Sequence, residues 1–321
     1  MKYLFIRIHE ACNAGCWFCS FAKSNDQFRL SIEKFHEILN ECIEQKVDYI
    51  RFTGGEPLLD NNLNYFIEQA NAAKIKTSVI TNGLMLSKKA DSLAKSGLNQ
   101  IIVSLDDLEK EHDNNRDIKN LFIKSIRGLS ECKKFGIKTR VNTVCGPHNF
   151  KSMPKLQEIF TEIGVDYWEL SALKLDSKIE YDTSEKEIQK IINHIYYEDH
   201  GLKPFGKIWC GNTKTEQKNY FLHSLPPRVT KDCSMPHRIR FYDAKNRNMY
   251  VCSLLPHRKL NQKNFYHFKE GTKFVYTNKE LDSIAEYYSK HGKNVCTGCS
   301  STASYYGEKS KGYVEKSIWE Y

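Results

Sequence analysis

The chain alternates short apolar runs with amphipathic helical segments, and this alternation restricts its fold more than any other feature. Six apolar runs predict β-strands at Tyr3–His9, Tyr49–Thr53, Thr77–Thr81, Gln100–Leu105, Lys138–Val144 and Asp166–Leu173. Segments with helical spacing separate them, as in Ser31–Lys46, where Ser31 is a favourable N-cap. Strand–helix alternation requires a parallel sheet with right-handed crossovers, which assigns the chain to the α/β class.

Six strand–helix units within roughly 200 residues fall short of a complete eight-unit barrel. We therefore expect a partial (β/α)6 barrel of the TIM type, with its active site where the strands end. After about residue 200 the alternation of strand and helix patterns ends and the sequence becomes irregular. A hairpin is predicted there from two short runs, Arg238–Tyr242 and Met249–Cys252. The expected domains are a barrel over residues 1–203 and a smaller unit over residues 204–321.

Composition excludes several classes of protein. With 40% hydrophobic residues the chain can bury a sizeable core, which excludes a disordered protein. No apolar run approaches the roughly 18 residues of a membrane helix, and the first residues predict a strand rather than a signal peptide, so we expect a cytoplasmic protein. The formal charge of +9 could serve an anionic partner such as RNA, but the lysines are scattered and form no stripe. A nucleic-acid partner is therefore not the leading expectation.

The eleven cysteines are the informative count, because seven of them fall into two groups. A reducing cytoplasm disfavours disulfides, so grouped thiols there indicate metal chemistry. The first group is Cys12, Cys16 and Cys19, and the second is Cys233, Cys252, Cys296 and Cys299.

The first group has the spacing Cys-x3-Cys-x2-Cys on a loop directly after the first strand. Three thiolates can bind three irons of a [4Fe–4S] cluster and leave the fourth iron open to a small ligand. The alternative is a zinc loop, for which His9 is the nearest candidate for a fourth ligand.

These residues resemble the radical S-adenosylmethionine (radical SAM) superfamily. The three-cysteine spacing, with the aromatic Phe18 before the third cysteine, is the signature of that family, and Gly54-Gly55-Glu56-Pro57 matches its Gly-Gly-Glu-Pro motif. The resemblance implies a [4Fe–4S] cluster that binds SAM. It also implies a set of SAM contacts at the strand ends: Phe18, Gly54, Gly55, Glu56, Asn82, Ser104, Asp106, Asn142 and Ser171.

Some of these contacts have alternative interpretations. Glu56 would accept a hydrogen bond from the methionine ammonium of SAM, and Ser104 with Asp106 would meet its ribose and carboxylate. Asn142 and Ser171 could equally be satisfied polar residues lining the barrel. Arg116 could meet the SAM carboxylate or be an exposed surface residue.

The four cysteines of the second group can supply all the ligands of a metal site. Their spacing alone does not decide between zinc and an iron–sulfur cluster. The resemblance implies an auxiliary [4Fe–4S] cluster in a C-terminal twitch (or SPASM-like) domain. Two further cysteines, Cys145 and Cys210, are candidates for donating a hydrogen atom to a radical, although a small buried apolar role fits either of them.

The resemblance implies reductive cleavage of SAM to a 5′-deoxyadenosyl radical, with electrons from an external flavodoxin- or ferredoxin-like donor. The leading expectation is oxidation or epimerisation at an sp3 C–H bond of a peptide or a small polyhydroxylated metabolite. One alternative is a radical SAM enzyme that modifies tRNA or a nucleotide. Another is a non-catalytic metal-binding protein.

Overall fold

A computed structural model describes residues 3–146, 148–172, 184–197, 206–208 and 239–250. Its strands are β1 (Tyr3–Arg7), β2 (Tyr49–Thr53), β3 (Lys76–Thr81), β4 (Gln100–Ser104), β5 (Lys138–Cys145), β6 (Tyr167–Ala172), β7 (Gly206–Ile208), β8 (Ile239–Asp243) and β9 (Asn248–Tyr250). Its helices are α1 (Ile32–Glu44), α2 (Leu63–Ala72), α3 (Leu86–Lys95), α4 (Glu109–Arg116), α5 (Leu121–Lys134), α6 (Met153–Ile163) and α7 (Glu185–Tyr197).

The described strands form one sheet in the order β7-β6-β5-β4-β3-β2-β1-β8-β9. Strands β1 to β7 are parallel to their neighbours. Each of the first six has nearly the same bounds as one of the predicted apolar runs. The α/β class with a mostly parallel sheet is therefore confirmed, and the order is consistent with a partial barrel.

The two faces of the sheet differ in chemistry. One face is apolar and packs on the helices, with Phe52 of β2 and Phe66 of α2 fully buried in the same core as Phe35 of α1. The opposite face carries polar side chains joined by hydrogen bonds, such as Arg51 Nε donating to Ser78 Oγ at 2.9 Å. An apolar outer layer around a polar interior is what a barrel with a ligand-binding lumen requires.

Helix α4 corrects an expectation about the segment 107–117, which the sequence predicts to be a pocket-lining loop. The segment is helical over Glu109–Arg116 and carries no apolar stripe. Its buried face consists instead of His112 and Arg116, which make polar contacts with Asp106. Hydrophobic periodicity cannot detect a helix whose inner face is made of charged and polar residues.

The predicted hairpin is present as β8 and β9, which pair antiparallel. Strand β8 also pairs in parallel with β1, so that Asp243 lies opposite Arg7. The hairpin therefore extends the sheet of the barrel, and the domain boundary at residue 203 stays a prediction. In the part of the chain that the structure describes, no helix is long and apolar enough to cross a membrane.

Candidate functional site

The three grouped cysteines lie on a loop that we call the cysteine loop, residues 10–26, which follows β1. Backbone hydrogen bonds fold the loop on itself, from Cys12 N to Ser24 O at 2.9 Å and from Lys23 N to Ala14 O at 2.8 Å. Gly15 N donates to Arg116 O at 2.8 Å, which ties the loop to the end of α4. The loop is therefore held in one shape by its own backbone and by α4.

Each of the three sulfurs accepts a hydrogen bond from a nitrogen. Ala14 N donates to Cys12 Sγ at 3.4 Å, and Phe21 N donates to Cys19 Sγ at 3.5 Å. Arg116 Nη1 lies 3.7 Å from Cys16 Sγ. Donors of this kind stabilise the negative charge of metal-bound sulfur, so the surroundings of the sulfurs fit an iron–sulfur cluster.

Burial alone would keep the Cys12 and Cys16 thiols protonated. It raises the pKa of Cys12 to about 11 and raises the pKa of Cys16, with the Arg116 charge opposing the rise at Cys16. A bound metal supplies the positive charge that deprotonates such thiols. The three sulfurs would therefore be a suitable donor set for an iron–sulfur cluster.

The zinc interpretation depends on His9, which lies directly before the same loop. The His9 ring is fully buried, and neither of its nitrogens has a hydrogen-bond partner among the residues that the structure describes. Among the described residues, no group of three or more His, Cys, Asp or Glu side chains is arranged to hold a single metal ion.

The Gly-Gly-Glu segment packs directly against the cysteine loop. Gly55 N donates to His9 O at 3.0 Å, and Glu56 N donates to Ala11 O at 2.8 Å. A Cβ atom on Gly55 would lie 2.1 Å from Ala11 O, and one on Gly54 would lie 2.7 Å from His9 O. The glycines are therefore needed for a close approach between two backbones, whereas the sequence indicated an approach to a ligand.

Glu56 uses its carboxylate to join this segment to the end of β3. Its Oε1 accepts from Thr81 Oγ1 at 2.7 Å and from Leu58 N at 3.0 Å, and its Oε2 accepts from Asn82 N at 2.7 Å. Burial raises the pKa of Glu56, while these donors act in the opposite direction. Asn82 in turn donates from Nδ2 to Asn13 Oδ1 at 2.8 Å, which reaches the cysteine loop.

Asp106 and Arg116 form a buried ion pair at the end of β4. Asp106 Oδ2 accepts from Arg116 Nε at 2.8 Å and from Nη2 at 2.6 Å, and its Oδ1 accepts from Val144 N at 2.9 Å. Arg116 is 5% exposed, which settles the choice between a surface and a buried arginine. The chain's own groups therefore occupy the Asp106 carboxylate, and Asp106 acts on the cysteine loop through Arg116.

The remaining predicted contacts lie at the ends of β4 to β6. Ser104 is the register partner of Asn142, and Ser171 Oγ donates to Asn142 Oδ1 at 3.0 Å. All three are half-buried. Phe18 is also half-buried and has the Arg116 guanidinium 5.9 Å from its ring centre.

Cys145 lies in the hydrophobic core rather than in the site. It is fully buried, and its Sγ is 3.4 Å from Met153 Sδ. This position matches the apolar packing role and leaves the thiol no exposed surface for a substrate. Cys210 and the second group, Cys233, Cys252, Cys296 and Cys299, lie outside the described residues.

Residues 6–159 match the family model described as the radical SAM superfamily. The match covers just under half of the chain. This range contains all the described site residues except Ser171. The family implies a [4Fe–4S] cluster and SAM as cofactors, together with a substrate and a reductant.

Several solved structures share the fold. Streptococcus suis SuiB bound to S-adenosylmethionine superposes with a TM-score of 0.67 at 18% identity, covering 88% of this chain and 67% of that one. Native anSMEcpe with bound AdoMet gives a TM-score of 0.65 at 16% identity, covering 89% of this chain and 82% of that one. At these identities the likeness concerns the fold alone.

Several curated relatives of the chain carry a nucleotide activity in their names. GTP 3′,8-cyclase of Aliarcobacter butzleri is 34% identical over 150 residues, which are 45% of this chain and 46% of that protein. GTP 3′,8-cyclase of Campylobacter jejuni is 28% identical over 210 residues, covering 60% of this chain and 66% of that protein. The chain spans about half the length of the first of these relatives.

These relatives correct the leading functional expectation. Oxidation or epimerisation of a peptide or polyhydroxylated metabolite is wrong as the main interpretation, because the curated relatives are named for an activity on GTP. The similarity favours the nucleotide-modifying alternative instead. Sequence alone could not separate the two, because the motifs that it revealed resemble those for SAM binding and carry no information about the substrate.

Proposed function

We propose that this chain is a radical SAM enzyme that modifies a nucleotide, with GTP as the first substrate to test. The observation that carries the proposal is its similarity, over 150 and 210 residues, to proteins named GTP 3′,8-cyclase. The formal charge of +9 is consistent with a polyanionic substrate.

The cofactor site follows from the contacts already described. Cys12, Cys16 and Cys19 would attach the [4Fe–4S] cluster, and Arg116 would donate to Cys16 Sγ from its place beside Asp106. When bound, the cluster and SAM supply a 5′-deoxyadenosyl radical. The barrel residues bind the cofactor, keep water from it and orient the substrate.

The SAM contacts divide into two groups. Gly54, Gly55 and Glu56 form a rigid support at the end of β2, held to Asn82 through the Glu56 carboxylate. Further polar groups for a ribose or a carboxylate stand at the ends of the next strands, namely Ser104, Asn142 and Ser171. Phe18, on the cysteine loop near Arg116, would be a further contact.

An auxiliary cluster belongs to the same proposal and rests on the sequence. Cys233, Cys252, Cys296 and Cys299 would hold a second [4Fe–4S] cluster in a twitch-type domain over residues 204–321. An iron and sulfide count tests this directly. Replacing Cys12, Cys16 and Cys19 together by alanine should remove about half of the iron if two clusters of equal size are present.

The substrate is tested with anaerobically reconstituted protein, SAM and dithionite. We expect GTP to stimulate formation of 5′-deoxyadenosine and to be consumed itself, as followed by chromatography with mass detection. ATP and a bulk tRNA sample serve as comparison substrates. If tRNA stimulates SAM cleavage with a steep salt dependence and GTP does not, the substrate is RNA rather than GTP. If no nucleotide stimulates SAM cleavage, the proposed function fails.

A further inference from the structure

The turn between β8 and β9 lies against the cysteine loop, far from it in sequence. Lys245 Nζ in this turn is 2.8 Å from Glu10 Oε2 and 2.5 Å from Asp26 Oδ2. Glu10 and Asp26 stand at the two ends of the cysteine loop, on either side of the three cysteines. One ammonium group therefore holds both ends of the loop together.

A second contact fixes the base of the same turn. Arg7 Nη1 donates to Asp243 Oδ2 at 3.0 Å, and Ala244 N donates to Arg7 O at 3.2 Å. The Arg7 guanidinium is buried and lies 4.6 Å from the ring centre of Phe21, inside the cysteine loop. The hairpin turn thus meets the loop through a buried pair as well as through the partly exposed Lys245.

We propose that Lys245, set by the Arg7–Asp243 pair, is a positioning residue that keeps the cysteine loop closed around its metal cluster. The inference rests on the proposed role of Cys12, Cys16 and Cys19 as cluster ligands, and it does not depend on which substrate the enzyme uses.

The charges explain how Lys245 would keep the cysteine loop closed. Glu10 and Asp26 reach the same ammonium, so two carboxylates are brought close together at the base of the loop. Arg7 Nη1 lies 3.5 Å from Glu10 Oε1 but does not join Glu10 to Asp26, so without the Lys245 ammonium the two carboxylates repel each other and the loop ends separate. The hydrogen bond from Lys245 also holds the pKa of Asp26 below its ordinary value, which keeps this carboxylate charged. A looser loop exposes the cluster to solvent and to chelators.

The test uses full-length protein purified anaerobically with its clusters and with no nucleotide present. Lys245→Met removes the charge but keeps the stem, Lys245→Arg keeps the charge, and Lys95→Met is the matched control. Lys95 forms an ordinary exposed pair with Asp91 at 2.7 Å on α3. Two quantities are measured: the rate of iron release to a chelator, and backbone hydrogen exchange over residues 10–26.

We expect Lys245→Met to release iron about fivefold faster and to lose exchange protection over the cysteine loop. Lys245→Arg should restore both quantities, and Lys95→Met should change neither. Unchanged exchange over residues 10–26 in Lys245→Met overturns the proposal, whatever the iron content. If wild-type protein without bound iron shows the same exchange over residues 10–26 as the iron-loaded protein, the assignment of Cys12, Cys16 and Cys19 as cluster ligands is refuted instead. Failure of GTP turnover affects neither measurement.

Discussion

The Asp106 carboxylate holds Arg116 by two N–H groups and leaves a third, on Nη1, directed at Cys16 Sγ. Nε and Nη2 lie 2.8 and 2.6 Å from Asp106 Oδ2, and Nη1 lies 3.7 Å from the sulfur. Because both side chains are buried, little water screens the charge of Arg116 from the proposed cluster.

Replacing Arg116 by Gln should make the cluster harder to reduce. Reduction adds negative charge beside Cys16, and the guanidinium stabilises that charge. We expect the midpoint potential to fall by on the order of 60 mV, which is a tenfold change for one electron. A redox titration followed by electron paramagnetic resonance measures it. Arg127→Gln, on the exposed side of α5, is the control, and an equal potential in all three proteins would refute the role of Arg116.

Gly55→Ala should disrupt the contact between the Gly-Gly-Glu segment and the cysteine loop. The new Cβ would meet Ala11 O at 2.1 Å and Glu10 O at 2.5 Å, and both are backbone atoms that cannot rotate away. We expect a loss of about 3 kcal/mol of unfolding free energy, measured by denaturant titration, together with lower iron content. Gly136→Ala, where a Cβ meets nothing within 4 Å, should cost less despite its positive φ. Equal losses would contradict the clash.

His112 should make the folded chain sensitive to mild acid. Burial lowers the pKa of His112 to about 3, and its Nδ1 accepts a hydrogen bond from Asp106 N, which requires the neutral ring. Below about pH 6.5 the unfolded chain binds a proton that the folded chain does not, so stability falls as the pH decreases from there towards 3.

His112→Phe should reduce that pH dependence by up to about 1.4 kcal/mol per pH unit. Denaturant midpoints for both proteins between pH 5.5 and 7.5 would show it, because the difference in bound protons between the unfolded and folded chain determines the slope of the unfolding free energy against pH. Part of the acid sensitivity should persist in the variant, because burial also lowers the pKa of His9 to about 4. Parallel slopes in the two proteins would rule His112 out.

Cys145→Ala should leave the chemistry intact. The thiol is fully buried against Met153, so it has no access to a radical in the site. We expect a stability loss of about 1 kcal/mol from the lost packing, with SAM cleavage at the wild-type rate. A change in the product, or in its uptake of solvent deuterium, would restore Cys145 as a hydrogen-atom donor.

Sequence patterns predict the inner strands well because those strands are buried on both faces. Tyr49–Thr53 is an apolar run that matches β2 residue for residue, and Ser31 caps α1 by accepting from Lys34 N. Here local propensity, burial and capping all favour the same structure, so no distant contact is needed to decide it.

The features that sequence missed depend on contacts between distant residues. Helix α4 has no apolar periodicity, and the burial of Arg116 follows from its pairing with Asp106. The Gly-Gly-Glu-Pro motif marks Glu56 as important but does not reveal that its carboxylate binds Thr81 and Asn82. Spacing identifies which residues belong to a site, whereas their partners emerge only when the chain is folded.

The parallel pairing of β8 with β1 also bears on synthesis of the protein. Arg7 and its partner Asp243 are 236 positions apart, so one hydrogen-bonding edge of the first strand must wait for most of the chain to leave the ribosome. Until then β1 is a bare edge rich in Tyr, Phe and Ile, the kind of surface that attracts other strands. Nascent chains stalled before residue 239 should therefore be prone to aggregate and to bind chaperones.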